Sequence, residues 1–487
     1  MAVAQGSCPN CGAPIAFEVG SSISKVCEYC RHTVLRSDRG LENLGKVSDL
    51  AHTPALIAVG DEGALRGRAL RVLGRVQLDH GAGPWDEYYV ALDHGRAWGW
   101  LAFAQGRWYA TVELPDVALL DVHGLLPDRD LNIPGAGFLR VAEVKEATIT
   151  STEGELPGVI RVGQRRRYAD CYGLNGTFAT LDYGDGSTRP TLYFGQVFNE
   201  PELQVTALGP RSVHKLKMTS LRCPNCGGDV PSLSGERAER VGCPYCGAVS
   251  DIAGQRVISL QEAARKSPDI PIGSRGTLDR VDYVCIALVR RGTDFDGDHY
   301  SWDEYLLWSA PVGYRWLVKD PETGWSFVSP VNPAELDLTS QPTHVTYAGK
   351  GFRARNQNRA SVEYVLGEVY WKVSVGDFNY VADYTYGGEV LSREQAGAEV
   401  SWSHSRALAW PTIASAFGLP VNGPGANLPH LASSGGGGAG SQMLALLVVA
   451  VFLLLCAMAT LDDCSGGGGG YVGGGTFRGG GVFSGGK

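Results

Sequence analysis

The chain has 487 residues, with 43 Lys or Arg against 51 Asp or Glu and a formal net charge of −8. That balance gives no general pull toward nucleic acid, whose phosphates call for a net positive surface. A chain of this length has room for several domains, each burying its own core.

Eight of the twelve cysteines fall into two sets. Cys8, Cys11, Cys27 and Cys30 form C-x2-C, a gap of 15 residues, then C-x2-C; Cys223, Cys226, Cys243 and Cys246 repeat the arrangement with a gap of 16. This is the spacing of a four-thiolate zinc ribbon. Two cysteines two residues apart in a tight turn aim their sulfurs at one tetrahedral ion, and Gly12, Gly227 and Gly247 are placed to take the positive φ of that turn. Four thiolates close the site, so two structural zinc ions are expected, in ribbons at residues 1–40 and 219–258. The chain opens MAVAQGSCPN, without a basic and apolar leader, and reduced thiolates in a reducing compartment are the expectation. Residues 1 to 50 carry five basic and five acidic residues, which argues against nucleic-acid binding by the first ribbon.

After the first ribbon, Ser37 to Ala51 reads as a connector holding one short helix. From 54 to 205 the pattern becomes short alternating runs broken by Gly, Asp and Pro: Arg68 to Leu78, Trp85 to Leu92, Ala97 to Phe103, Arg107 to Leu114, then Glu143 to Ser151, Gly158 to Gly173, Thr177 to Gly184 and Thr191 to Phe198. Many short strands rich in Val, Tyr and Trp predict a small antiparallel barrel or sandwich. Between the two groups, Asp128, Asp130 and Asn132 alternate as in a calcium loop, but Ile133 and Leu139 stand where Gly and Glu are required, and that reading is rejected.

The second ribbon opens a second copy, at 268–406. Trp85-Asp86-Glu87-Tyr88 recurs as Trp302-Asp303-Glu304-Tyr305, and Trp108 recurs as Trp325 at the same offset, so the chain reads as two tandem ribbon-plus-β units. Later strands are expected at Ala360 to Phe378 and Asn379 to Ser392. Residues 407–442 form a linker; its first part, Leu408 to Pro420, is expected to dock on the second β unit. Met443 to Leu461 is an uncharged run long enough for one transmembrane helix, and 462–487 is a Gly-rich tail without the means to build a core. With the thiolates in a reducing compartment, the two units would face the cytoplasm at the inner membrane.

No phosphate loop, zincin or nucleophile elbow is present. The repeated Trp-Asp-Glu-Tyr is the one candidate constellation outside the ribbons. Neighbouring Asp and Glu on a strand point to opposite faces, so Asp86 with Glu87, and Asp303 with Glu304, do not form a carboxylate pair. A catalytic version would bring His80 or His299 to one of these acids. Arg165, Arg166 and Arg167, and Arg353, Arg355 and Arg359, are candidates for an anion or lipid headgroup. Cys171 and Cys285 read as small buried apolar side chains, and Cys456 and Cys464 share no spacing with the rest.

A CPNCG ribbon, then Ala58-Val59-Gly60, then a W-D-E-Y with a trailing Trp, resembles the uncharacterised bacterial family catalogued as domain of unknown function 4178. The resemblance covers roughly 54–200 and 268–406; it implies a bacterial source and a β domain, and it brings no catalytic residues. The second copy departs at Pro271-Ile272-Gly273 and in a longer acidic hairpin, Asp294 to Asp298. The expectation is a single-span membrane protein whose two units bind or scaffold a protein partner. An enzyme working around Trp-Asp-Glu-Tyr, and nucleic-acid binding by the ribbons, are the alternatives.

Overall fold

The computed structural model describes residues 4–17, 24–46, 57–115, 125–206, 220–231, 240–260 and 267–426, short gaps within those spans aside. Met443 to Leu461 and the Gly-rich tail lie outside the described residues. Among the described residues no helix is long and apolar enough to cross a membrane.

In the first copy eight strands close on themselves, every pair antiparallel. Arg68–Asp79, Pro84–Leu92, Ala97–Ala104 and Arg107–Leu114 pair in sequence. Arg107–Leu114 then joins Thr191–Asn199, which leads back through Thr177–Asp182 and Arg165–Tyr172 to Gly137–Leu156. That long strand closes the ring on Arg68–Asp79. Closure leaves no exposed sheet edge in the ring. The second copy repeats the circuit with Val281–Phe295, Asp298–Ser309, Gly313–Asp320, Gly324–Val331, Glu399–Ala407, Glu389–Ala396, Phe378–Tyr386 and Lys350–Val369. Even the irregularities recur: bulges at Val72/Gly74 and Val141/Glu143 have counterparts at Cys285/Ala287 and Ala354/Asn356.

Period-two alternation sorts each strand into an inner and an outer face. Trp85, Tyr89, Trp100, Ile149, Tyr168 and Tyr193, drawn from strands around the ring, meet in the first interior. Tyr88, Val90, Leu101 and Trp108 face outward and are covered by Leu203 and Val205 of the short strand Leu203–Thr206. The second copy covers the corresponding face differently, with the helix Trp410–Phe417. Its Trp410 stacks on Trp325, and Ile413 and Phe417 bury against Leu278 and Phe327. At roughly 1.5–3 kcal/mol per buried large side chain, this anchors the segment to the barrel. The docking expected for Leu408 to Pro420 is what the structure contains.

Four sequence expectations need correction. The strand expected from Gly158 begins only at Arg165, and Asn379 to Ser392 is divided by a turn at Gly387 between Phe378–Tyr386 and Glu389–Ala396. The stretch after the first ribbon contains a strand, Gly40–Lys46, where a short helix was expected, because its backbone pairs with His32–Ser37 to extend the ribbon sheet. Ala360 to Phe378 is not one strand: Lys350–Val369 ends before a turn with Gly376 at φ 94, and the next strand is Phe378–Tyr386. Aromatic and β-branched residues run straight through that turn and conceal it.

The two barrels stack head to tail. One end of the first, where Ala142, Glu143 and Tyr172 lie, meets the opposite end of the second, where the strand Gly324–Val331 finishes and Glu399–Ala407 begins. Buried Arg140 donates to the Pro333 and Leu336 carbonyls at 2.7 and 2.6 Å. Asp128 accepts from Arg393 at 2.7 Å and from the Trp402 indole at 3.0 Å, and the Val144 amide bonds the Ala398 carbonyl. Lys145 lies between Glu143, at 2.8 Å, and Glu399.

Candidate metal centres

Each ribbon gathers its four cysteines at the ends of short hairpins. Ala4–Ser7 pairs with Pro14–Phe17, and Ser220–Arg222 with Asp229–Pro231, so that the Cys-x-x-Cys turns follow directly from the strands. Gly12, Gly227 and Gly247 take φ of 75, 73 and 72°, the left-handed conformation that bends the chain back after the cysteine. The Gly12 and Gly227 amides return to the Cys8 and Cys223 carbonyls.

All four sulfurs of each set lie within 4.8 Å of one another. Cys8 to Cys30 is 3.6 Å, Cys11 to Cys27 3.7 Å, Cys223 to Cys246 3.7 Å and Cys226 to Cys243 3.8 Å. A tetrahedral ion with bonds of about 2.3 Å to sulfur needs edges of about 3.8 Å, whereas a disulfide needs about 2.05 Å. The donor geometry therefore fits a metal ion in each set.

Without an ion the sulfurs of each set divide: Cys11 and Cys243 are pushed up to about 12 and Cys226 is also raised, while one cysteine in each set is brought down. Burial pushes the Cys30 thiol up, but the His32 amide, the Asn10 side chain and the neighbouring sulfurs outweigh it and bring it down to about 6. Cys246 comes down to about 7 against the same burial, through Asn225, the Ala248 amide and the other thiols. Polar donors around sulfur play the supporting part that metal–thiolate sites require. The apolar clusters beneath are small: Cys8, Ile15, Cys27 and Val34 in one ribbon, Cys223, Val230, Val241, Cys243 and Ala248 in the other. Cores of that size do not hold a fold by themselves.

Both ribbons attach to a barrel at the same place, the end of the long strand. Ser24 and Lys25 pair with Leu156 and Glu155, and Arg240, Val241 and Gly242 pair with Val369, Glu368 and Gly367.

The Trp-Asp-Glu-Tyr motifs occupy equivalent positions. As alternation requires, the two acids separate. Asp86 faces outward and is bound by Arg75 at 2.6 Å, while Asp303 is held by Arg290. Glu87 and Glu304 are buried in the interiors and accept the indole N–H of the Trp two residues earlier, at 3.3 and 2.6 Å. His80 packs beside the Trp85 ring, and His299 lies between Asp294 and Glu363 at the exposed hairpin.

The arginine clusters are dispersed. Arg165 turns out to Glu146, and Arg166 turns in to Asp182. Arg353, Arg355 and Arg359 are exposed, with Arg359 over the Phe378 ring. Cys171 and Cys285 are buried in strands, and burial pushes both thiols up. The sequence reading missed Asp128 and Arg140, which hold the barrels together. Asp128 stood in the rejected calcium loop, where its left-handed backbone marked it as special without naming its partner.

The molecule is thus a tandem of antiparallel barrels, each carrying a cysteine tetrad able to hold a metal ion. The model of the family described as "Domain of unknown function (DUF4178)" matches residues 58–200 and again 271–409. The chain belongs to that family and contains its domain twice. Neither the curated proteins nor the solved structures include a match to it.

Proposed function

We propose that this chain is a membrane-tethered binding module in which two structural zinc ions staple two ribbons to a stack of two barrels. The observation that carries the reading is how the repeated motif is used. In both copies its Asp and Glu are engaged within the fold, by an arginine and by an indole N–H, and the four-thiolate sets offer an ion no open position for chemistry. Zinc is favoured among metals by the sulfur-only donor set and by the edge lengths. The tether is the uncharged run Met443 to Leu461, with the ribbons on the reducing, cytoplasmic side.

Zinc analysis of the full chain purified from membranes tests this directly. Two zinc ions per chain, lost in paired cysteine-to-serine variants, are expected. Metal-free protein with oxidised sulfurs would overturn both the zinc assignment and the cytoplasmic placement. Glu87→Ala and Glu304→Ala should lower stability without removing a separable activity.

A further inference from the structure

Where the barrels meet, a cavity of about 80 Å³ opens. The first barrel contributes Arg107, Tyr109 and Tyr172 to its lining, the second Tyr314, Tyr370 and Ser401. Arg107 is the only charged residue among the described residues of that lining. The buried arginines Arg75, Arg140 and Arg291 each hold a carboxylate. The half-buried Arg107 guanidinium has no ion pair or hydrogen bond among the described residues. A second guanidinium stands near it. Arg315 donates to the Val312 and Tyr314 carbonyls, and burial, reinforced by the charge of Arg107, brings it down to about 10. Two like charges in a partly dry site are costly without a counter-charge.

The cavity also offers hydroxyl donors. Ser401 is buried and its oxygen has no partner among the described residues. The Tyr109 and Tyr172 oxygens are 3.3 Å apart, so one O–H of that pair remains to donate elsewhere. Glu143, Asp170 and Glu399 lie behind the tyrosines, with Lys145 among them. Burial pushes the Asp170 carboxyl well up and Glu399 up to about 8.

We propose that the cavity is a binding site for a small oxyanion, a phosphate or carboxylate group, with Arg107 as its counter-ion and the Tyr109–Tyr172 pair and Ser401 donating to its oxygens. The volume exceeds the roughly 10–15 Å³ that one water needs and suits such a group. A ligand held from both barrels stabilises their stacking by mass action. This deepens the binding-module reading by naming a ligand class.

The test is calorimetric titration of the full, metal-loaded chain with inorganic phosphate and then acetate, at ionic strength fixed with chloride. Flotation with phosphatidic acid vesicles separates a lipid-borne phosphate from a free one. One phosphate or acetate per chain is expected, weakened at least tenfold by Arg107→Met and several-fold by Ser401→Ala, with zinc content and circular dichroism unchanged. Arg107-dependent binding to vesicles without a response to free phosphate or acetate would support the same site with lipid as the source. Equal affinity in wild type and both variants, or no response to any of the three probes, would overturn the proposal. If Arg107→Met does not fold, an unchanged affinity in Ser401→Ala overturns it alone. The zinc count is unaffected by either result, so this failure is distinct from failure of the ribbon reading.

Discussion

The two barrels share a circuit and a motif, yet they neutralise the same buried glutamate with different arginines. In the first copy Arg166 enters from the strand Arg165–Tyr172 to meet Asp182 near Glu87. In the second, Asn379 stands at the matching place and bonds Glu394, while the cation arrives from another strand as Arg291, 2.9 Å from Glu394 and 3.7 Å from Glu304. The fold demands one guanidinium beside each pair of interior acids and is indifferent to which strand supplies it. An interior charge is thus fixed by local neutrality, not by position in the repeat.

The largest test of that comparison removes the cation. Arg291 is 1% exposed, and Arg291→Met leaves Glu304 and Glu394 buried against each other. A loss of about 3–5 kcal/mol is expected. Arg166→Met should cost less, roughly 1–3 kcal/mol, because the Arg166 side chain is 20% exposed against 2% for Arg291, so water reaches the acid it leaves behind. Denaturant unfolding followed by tryptophan fluorescence measures both, and equal losses would break the comparison.

A smaller difference should separate the two indoles. Trp302→Phe removes a 2.6 Å bond to a buried carboxylate and should cost about 1.5–3 kcal/mol; Trp85→Phe removes a 3.3 Å bond and should cost less, about 1 kcal/mol. The same unfolding curves decide it, and a larger loss for Trp85→Phe would reverse the assignment.

The smallest effect is a slope with pH. Burial, opposed by Lys145 and reinforced by Glu143, raises Glu399 to about 8, against about 4.3 for a free glutamate. Between those values the folded chain keeps a proton that the unfolded chain has released. Stability from this group is therefore fully present below about pH 4 and declines as pH rises toward 8. Melting temperatures from pH 5 to 8 should fall less steeply in Glu399→Gln than in the wild type. Identical slopes would place the pH dependence elsewhere.

Much of this architecture was legible in the residues. Alternation located most strands of the first copy within a few positions, although Gly137–Leu156 runs well past both ends of the expected Glu143 to Ser151 and Arg165–Tyr172 begins well after the expected Gly158. The letter-for-letter return of Trp-Asp-Glu-Tyr exposed the duplication, because those residues carry the same packing duty twice. The cysteine spacing foretold the tetrads, since two turns must converge on one point. The seam between the barrels was not legible. Asp128 and Arg393 are 265 residues apart and meet only because unlike ends of two similar barrels are complementary, which no local pattern encodes. The direction taken by Arg166 was equally hidden, as three consecutive arginines look alike until one is drawn inward by Asp182.

The seam joins unlike surfaces, so in principle a third barrel could be added by the same rule, as in any array built by translation. The second barrel does not invite one. Where the first presents buried Arg140 and Glu143 with Lys145, the second exposes Arg353 and Asn356, with Asn358 in place of the lysine. Those residues lack the acid and the ammonium that greet Glu399, and they behave as the polar cap with which a repeat protein closes its series. That end of the second barrel is therefore chemically unlike the end of the first that receives a neighbour.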